Sequence, residues 1–475
     1  MKTITIDVAV IGAGTAGLAA YHAAKAAGVT VALIEGGAYG TTCARVGCMP
    51  SKLLIAAADA AHAVDQAPGF GIHVGGPVRV NGREVFERIR RERDRFVGFI
   101  LRDVDAIAEK DRLRGHARFV NNHTLDIGDH TRVQAKSIVI ATGSRATYPD
   151  SFKTLGDRLI TSDDVFEWQD LPKSVAVIGT GIVGLELAQA LHRLGVRVVV
   201  LGQGGRVGPF ADPVLQAYAT ACFGAELKLE PAVDIVSMER TTAGVAIVRK
   251  GPGGVEKVAH FDLVLAATGR APNVADLGLD NTTLPLDAKG VPTFDPVTLR
   301  TAGKSAASPI FIAGDAVNFI PLLHEATDEG RIAGTNAARV AQGKPVKAGT
   351  RRAPISIMFT DPQIAIVGGG FAALEAGRFA TGQVSFENQG RARILLRNKG
   401  LLHIYADLAT GRLLGAEMLA PAAEHLAHLL AWALQSKLTV AQVLEMPIYH
   451  PVVEEGLRTA LRDLAGKLAG EPRVP

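Results

Sequence analysis

Cys43 and Cys48 are held in one short run, Gly40-Thr41-Thr42-Cys43-Ala44-Arg45-Val46-Gly47-Cys48-Met49-Pro50-Ser51-Lys52. Two thiols at this spacing can exchange electrons through a disulfide, share a metal ion, or pack as small apolar groups. Upstream stands Gly12-Ala13-Gly14-Thr15-Ala16-Gly17, a dinucleotide fingerprint. Thiols close to such a site let two electrons pass between sulfur and a bound cofactor. Pro50 suits the first turn of a helix running through 53–64, which puts Cys48 at its positive end. That end stabilises a thiolate and makes Cys48 the better leaving group in exchange. The zinc reading lacks a second ligand pair at suitable spacing, and a buried, inert dithiol needs only an apolar core. Context favours redox work at a disulfide.

The elements that must position these groups follow from the pattern. Residues 3–11 read as a strand, 15–27 as a helix and 30–34 as a second strand, a βαβ unit. The same order returns as 174–178, 182–194 and 197–201, with glycines at Gly179, Gly181 and Gly184. In each fingerprint the first glycine makes the tight turn and the second admits pyrophosphate. The third lets helix pack on strand, and the helix N-terminus faces the phosphates. The bland alternative is a glycine-rich turn without a ligand. Glu35 ends the second strand, where a carboxylate accepts a ribose hydroxyl. It lies 23 positions after Gly12, and the same step from Gly179 lands on Gly202. The second site therefore lacks both the acid that disfavours a 2′-phosphate and a placed base that attracts one, Arg206 being the nearest. NAD and NADP stay equally open. Each nucleotide unit closes on a strand ending in Thr-Gly, at Thr142-Gly143 and at Thr268-Gly269. Glycine there permits close backbone approach. A third apolar strand, 310–313, runs into Gly314-Asp315.

A chain of 475 residues exceeds one core and predicts several domains. We place one dinucleotide-binding domain at 1–150, a second at 151–272, a further segment at 273–347 and a last domain at 348–475. The fold class is α/β: two Rossmann-like domains and a C-terminal α+β domain. Hydrophobic residues make up 48% and charged residues 21%, as in a soluble enzyme. The net charge of +4 is spread among both signs, and the cluster Arg88–Arg93 reads as a solvated helix face, so no nucleic-acid partner is expected. Three cysteines do not make a secreted disulfide framework, which points to a reducing cytoplasm. The apolar stretch 8–24 is cut by fingerprint glycines, and 422–440 carries Glu424, His425, His428 and Lys437. The second reads as one packed amphipathic helix, and no membrane partner is expected.

With these motifs in place, the chain resembles the class I pyridine-nucleotide disulfide oxidoreductases over nearly its whole length. The Cys-x4-Cys-x-Pro-Ser-Lys element is the most specific match. The resemblance implies that 1–150 is the FAD-binding domain, completed by 273–347, that 151–272 binds NAD(P) and that 348–475 is the dimerisation domain. The resemblance implies that Gly12, Gly14, Gly17 and Glu35 hold the adenosine end of FAD, with Thr142, Gly143 and Gly269 beside the cofactors and Asp315 on the flavin ribityl chain. Gly179, Gly181 and Gly184 would receive NAD or NADP. Lys52, paired with Glu186, would sit near the reactive flavin nitrogen, where a cation stabilises negative charge on reduced flavin. A lone aspartate at a strand end, or a lone lysine on a helix, would otherwise read as a cap and a solvated charge.

Near the end stands Tyr449-His450-Pro451-Val452-Val453-Glu454-Glu455. The resemblance implies a homodimer in which this histidine comes from the partner subunit and serves the substrate-facing thiol as acid and base. Glu455 would orient the imidazole, and the His-Pro bond is expected to be cis. Within the family the chain is most similar to dihydrolipoyl dehydrogenases, which implies oxidation of dihydrolipoamide by NAD⁺ through the disulfide and FAD. Two departures bear on the substrate: Val452 replaces the usual threonine and Ile448 a common histidine. The alternatives are an NAD(P)H-driven reductase of another small disulfide, like glutathione reductase, or a mercuric reductase-like enzyme. The missing N-terminal Cys-x-x-Cys module and C-terminal cysteine pair count against mercuric reductases and large thioredoxin reductases. Both redox cysteines count against single-cysteine relatives such as soluble transhydrogenase. From another class comes a non-catalytic FAD-binding scaffold. No resident metal is expected.

Overall fold

The computed structural model describes residues 1–303, 307–317 and 322–470. The chain divides into two compact units, each assembled from separate stretches. The first comprises Met1–Pro50, Arg88–Thr147 and Gly269–Arg351; the second Ser51–Glu87, Tyr148–Thr268 and Arg352–Pro475.

The first unit begins with β1 (Lys2–Ile11), α1 (Thr15–Ala26) and β2 (Val31–Glu35). Next come α2 (Thr42–Val46), the start of α3 (Cys48–Gln66) and most of α4 (Gly82–Asp105). The sheet is completed by β3 (Arg112–Arg114), β4 (Ala117–Asn121), β5 (Thr124–Ile127) and β6 (Thr131–Ile140). Its order is β3-β2-β1-β6-β5-β4, and the strand Ile310–Ile312 pairs with β6. β1 lies parallel to both neighbours, with Val8 opposite Val31 and Ser137, and Ile11 opposite Ile34 and Ile140. Helices and loops cover both faces, so the central strands are continuous apolar runs rather than alternating ones. Val8, Val10, Leu33, Val139 and Phe311 fill one side, and Ala9, Ile138, Ile140 and Ile312 the other. α1 lies against the helix Leu323–Ala341 so closely that a Cβ at Gly330 or Gly334 would overlap the carbonyl oxygens of Ala16 and Ala20. α4 buries Phe86 and Ile89 and leaves Arg88 and Arg91 exposed, the solvated face that the charge pattern predicts.

In the second unit a parallel sheet runs Lys228–Glu230, Arg197–Leu201, Ser174–Ile178, Leu263–Ala266, Leu159–Thr161. The helix Ile182–Arg193 follows its central strand, and a three-stranded antiparallel sheet, Asp234–Phe261, belongs to the same unit. Beyond residue 352 a five-stranded antiparallel sheet carries the helices Ala423–Gln435 and Glu455–Leu468 on a core of Leu402, Ile404, Met418, Leu426, Leu457 and Leu461. The stretch 422–440 is not one helix. It stops at Gln435, because Lys437 turns left-handed (φ 56°) and Leu438 N–H returns to the Ala433 carbonyl at 3.0 Å. Thr439 then caps a new short helix, Val440–Leu444, in a reciprocal box with Gln442. Among the described residues no helix is long and apolar enough to cross a membrane.

Candidate active site

In the first unit, β1 turns into α1 at Gly12, whose φ of +103° disfavours any side chain. A Cβ there would overlap the Ala141 carbonyl, and one at Gly17 would overlap the Gly12 carbonyl. Gly14 differs: a Cβ there would meet nothing within 4 Å, so space stands open at the N-cap of α1. Glu35 accepts the Ala13 N–H at 2.7 Å and the Gly37 N–H at 2.6 Å, which fixes its carboxylate beside that opening. Thr142 lies just past the end of β6, its hydroxyl buried and without a partner among the described residues. Gly143 follows at φ +69° and accepts the Asn273 N–H. Asp315 accepts the Ser144 hydroxyl at 2.8 Å, and Arg270 holds that same serine through Oγ and carbonyl. Gly269, at φ +133°, accepts the Thr147 N–H. An open helix N-terminus, an orphaned hydroxyl and two fixed carboxylates fit the polar groups of a dinucleotide.

The cysteines occupy consecutive helical starts. Thr41 caps α2 by accepting the Ala44 N–H, which places Cys43 in its first turn. Gly47 then bends the chain, and Cys48 opens α3. A Cβ at Gly47 would stand 3.0 Å from Cys43 Cα, so glycine allows the second helix to start against the first. Cys43 is half-buried and Cys48 exposed. Pro50 lies in the first turn of α3, and Cys48 takes the end where backbone N–H groups lower a thiol pKa.

The second unit holds the remaining predicted groups. Gly179 and Gly184 are jammed against Ala267 and the Gly179 carbonyl, while Gly181 faces open space, the same division of labour as in the first fingerprint. Gly202 is more constrained than its sequence shows. A Cβ there would lie 2.8 Å from both the Pro231 carbonyl oxygen and the Thr180 methyl. Arg206 donates to the Phe210 carbonyl. Lys52 Nζ meets Glu186 Oε2 at 2.8 Å and lies 4.7 Å from the centre of the Phe359 ring. The other Glu186 oxygen takes the Phe359 N–H at 2.7 Å. His450 Nδ1 lies 3.1 Å from each Glu455 oxygen, and the bond to Pro451 is cis. The hydrogen bond from His450 holds the Glu455 carboxyl below its usual range. Among the described residues no cluster of three or more His, Cys, Asp or Glu is placed to hold a metal ion.

Residues 6–330 match the model for the pyridine nucleotide-disulphide oxidoreductases, and residues 355–461 the model for their dimerisation domain. The chain belongs to this family. Pyridine nucleotide-disulphide oxidoreductases use FAD and NAD(P)H, and the dimerisation domain supports a homodimer. Among curated relatives, dihydrolipoyl dehydrogenase 3 of Pseudomonas aeruginosa is 29% identical, over 97% of this chain and 98% of its own. The mercuric reductase of Shigella flexneri is 32% identical, over 96% of this chain and 80% of its own. Of solved structures, LpdA from Mycobacterium tuberculosis superposes with a TM-score of 0.81 at 24% identity, covering 98% of this chain and 100% of its own. The HOCl-induced flavoprotein disulfide reductase RclA from Escherichia coli gives 0.80 at 21%, covering 97% and 99%. Both share the fold. Sequence reasoning missed Phe359, whose N–H binds Glu186 and whose ring lies beside Lys52, and Arg193 and Gln189, which bind Asp361 two residues further on. No local motif marks them, since their partners lie far along the chain.

Proposed function

We propose that this oxidoreductase transfers an electron pair between a small dithiol of the dihydrolipoamide class and NAD⁺, through a disulfide formed by Cys43 and Cys48. The observation that carries the reading is the pair of helical starts packed around Gly47, which presents Cys48 at a helix N-terminus. His450 of the partner subunit takes the proton from one substrate thiol, and the resulting thiolate attacks Cys43. The Cys43–Cys48 bond breaks and Cys48 leaves as thiolate. The second substrate thiol then displaces Cys43, which leaves the substrate as disulfide and the enzyme with two reduced sulfurs. Glu455 holds the imidazole in one orientation and balances its charge once protonated. FAD, when bound, would supply the two-electron relay between the reduced sulfurs and NAD⁺. Lys52, fixed by Glu186, supplies positive charge to that relay. Gly12, Gly14, Gly17 and Glu35, with Thr142, Gly143, Gly269 and Asp315, hold FAD; Gly179, Gly181 and Gly184 hold the nicotinamide nucleotide.

Replacing Cys48 with serine tests this. Dihydrolipoamide turnover should vanish while flavin stays bound; undiminished turnover rejects the scheme.

A second reading runs the same machine from NADPH towards a small disulfide. Gly202 favours it, because the position that would carry a repelling acid is closed to any side chain. Stopped-flow reduction of the bound flavin by NADH and by NADPH separates the two. A strong preference for NADPH selects the reductase, and a preference for NADH selects the dehydrogenase.

A further inference from the structure

α3 and the helix Ile182–Arg193 are joined by two ion pairs at one constant offset. Lys52 meets Glu186 and Asp59 meets Arg193, each across 134 positions. On both helices the second residue lies seven after the first, two turns or about 10 Å along the axis. A constant offset of one sign means that the helices run parallel in register. The second pair is built more elaborately than the first. Arg193 is only 4% exposed in its side chain and reaches Asp59 at 3.1 Å, Glu226 at 2.7 Å and Asp361 at 3.3 Å. Between the pairs, Gln189 accepts the Asp361 N–H at 2.8 Å and donates to the Asp361 carbonyl and to Glu226. Glu186, Gln189 and Arg193 thus clamp the segment Phe359–Asp361 along one helix face. The upper end of that segment supplies the ring beside Lys52 and the N–H on Glu186.

From this we infer that Arg193 is a positioning residue for the electron relay: through Asp59 and Asp361 it sets where Lys52 holds its charge. The inference rests on the proposed role of Lys52 beside the flavin. Arg193 touches no reacting atom. A charge displaced along a flexible lysine loses electrostatic effect as its distance grows, and a two-point attachment fixes both the rotation and the shift of α3 against its neighbour.

The test reads the flavin midpoint potential of the purified holoenzyme by dye equilibration, alongside its melting temperature. Lys52→Met should make reduced flavin roughly tenfold less favoured, a shift of about 30 mV to more negative potential for two electrons. Arg193→Gln should move the potential in the same direction, and the double variant should be no worse than Lys52→Met alone, the non-additivity of groups acting through one another. Asp59→Asn removes a carboxylate that is 50% exposed, and it keeps the test open should Arg193→Gln fail to fold. It should show a smaller shift of the same sign. If Lys52→Met moves the potential while Arg193→Gln and Asp59→Asn lower only the melting temperature, Arg193 is structural and the inference is overturned. If Lys52→Met leaves the potential unmoved, the assignment of Lys52 to the flavin falls, and this inference with it.

Discussion

Gly12 and Gly14 stand two residues apart and do different work. An alanine at position 12 would need φ +103° and would press on the Ala141 carbonyl, so its cost falls on the folded chain itself. An alanine at position 14 meets only open space. Gly12→Ala should therefore lower the melting temperature of the flavin-free protein, by an amount equivalent to about 1–3 kcal/mol. Gly14→Ala should leave that temperature within error and raise the dissociation constant for FAD instead. Melting curves with and without FAD check both. Glu455 depends on pH through its neighbour. His450 keeps its carboxyl below the ordinary range, so the carboxylate is charged throughout neutral pH. Its contribution is complete above the unfolded value of about 4.3 and is lost as pH falls through the depressed one. Glu455→Gln should cut dithiol turnover about 10²-fold at neutral pH while flavin content is unchanged. A steady-state assay at constant flavin occupancy reads it.

At the scale of elements, the helix Pro213–Glu226 depends on a joint that has no local signature. Asp212 caps it by accepting the Val214 N–H at 2.9 Å. The same carboxylate takes His403 Nδ1 at 2.7 Å and the Tyr405 hydroxyl at 2.9 Å, from a strand nearly two hundred residues later. Glu417 receives the Asp212 N–H at 3.1 Å and the Phe371 N–H at 2.8 Å. Burial pushes Asp212 up, but His403, Tyr405 and the Val214 N–H outweigh it and hold the carboxyl below its usual value. Burial drives Glu417 the other way. Asp212→Ala should cost about 3–5 kcal/mol, as when one partner of a buried pair is removed. In the native protein the Asp212 contribution stands above pH about 3.9 and disappears as pH falls through its lowered folded value. Urea unfolding at neutral and acid pH, wild type against variant, should show the gap closing on acidification. This joint also marks the limit of what is legible in a sequence. The βαβ repeats were readable because periodicity and glycine spacing are local, and Ser174–Ile178 and Arg197–Leu201 fall where the pattern places them. The Cys-x4-Cys run and the His-Pro-x-x-x-Glu dyad were readable because each sits within a dozen residues. The grip of Arg193 on Asp59 and Asp361, and the closure over Gly202 by Pro231, exist only once distant stretches meet. Even the break at Lys437 was signalled nearby, in the Thr-x-x-Gln box that follows it.

For the whole molecule, the dimer decides whether either subunit can work alone. Cys43 and Cys48 lie in the first unit and the His450–Glu455 dyad in the second. If the dyad serves the neighbour's cysteines, two inactive homodimers can repair one another. Cys48→Ser dimers lack the leaving thiol at both sites, and His450→Gln dimers lack the proton acceptor at both. A mixed dimer would carry one site with both defects and one with neither. Random exchange of equal amounts makes about half of the dimers mixed, each with one sound site of two, so turnover should return to about a quarter of wild type. The returning activity should grow at the rate of subunit exchange and fail to appear when exchange is blocked by cross-linking beforehand. Were His450 to serve the cysteines of its own chain, every site would keep one defect and mixing would restore nothing. The complementation assay therefore separates the two geometries with native folds throughout, and it does so whichever nicotinamide and whichever dithiol the enzyme prefers.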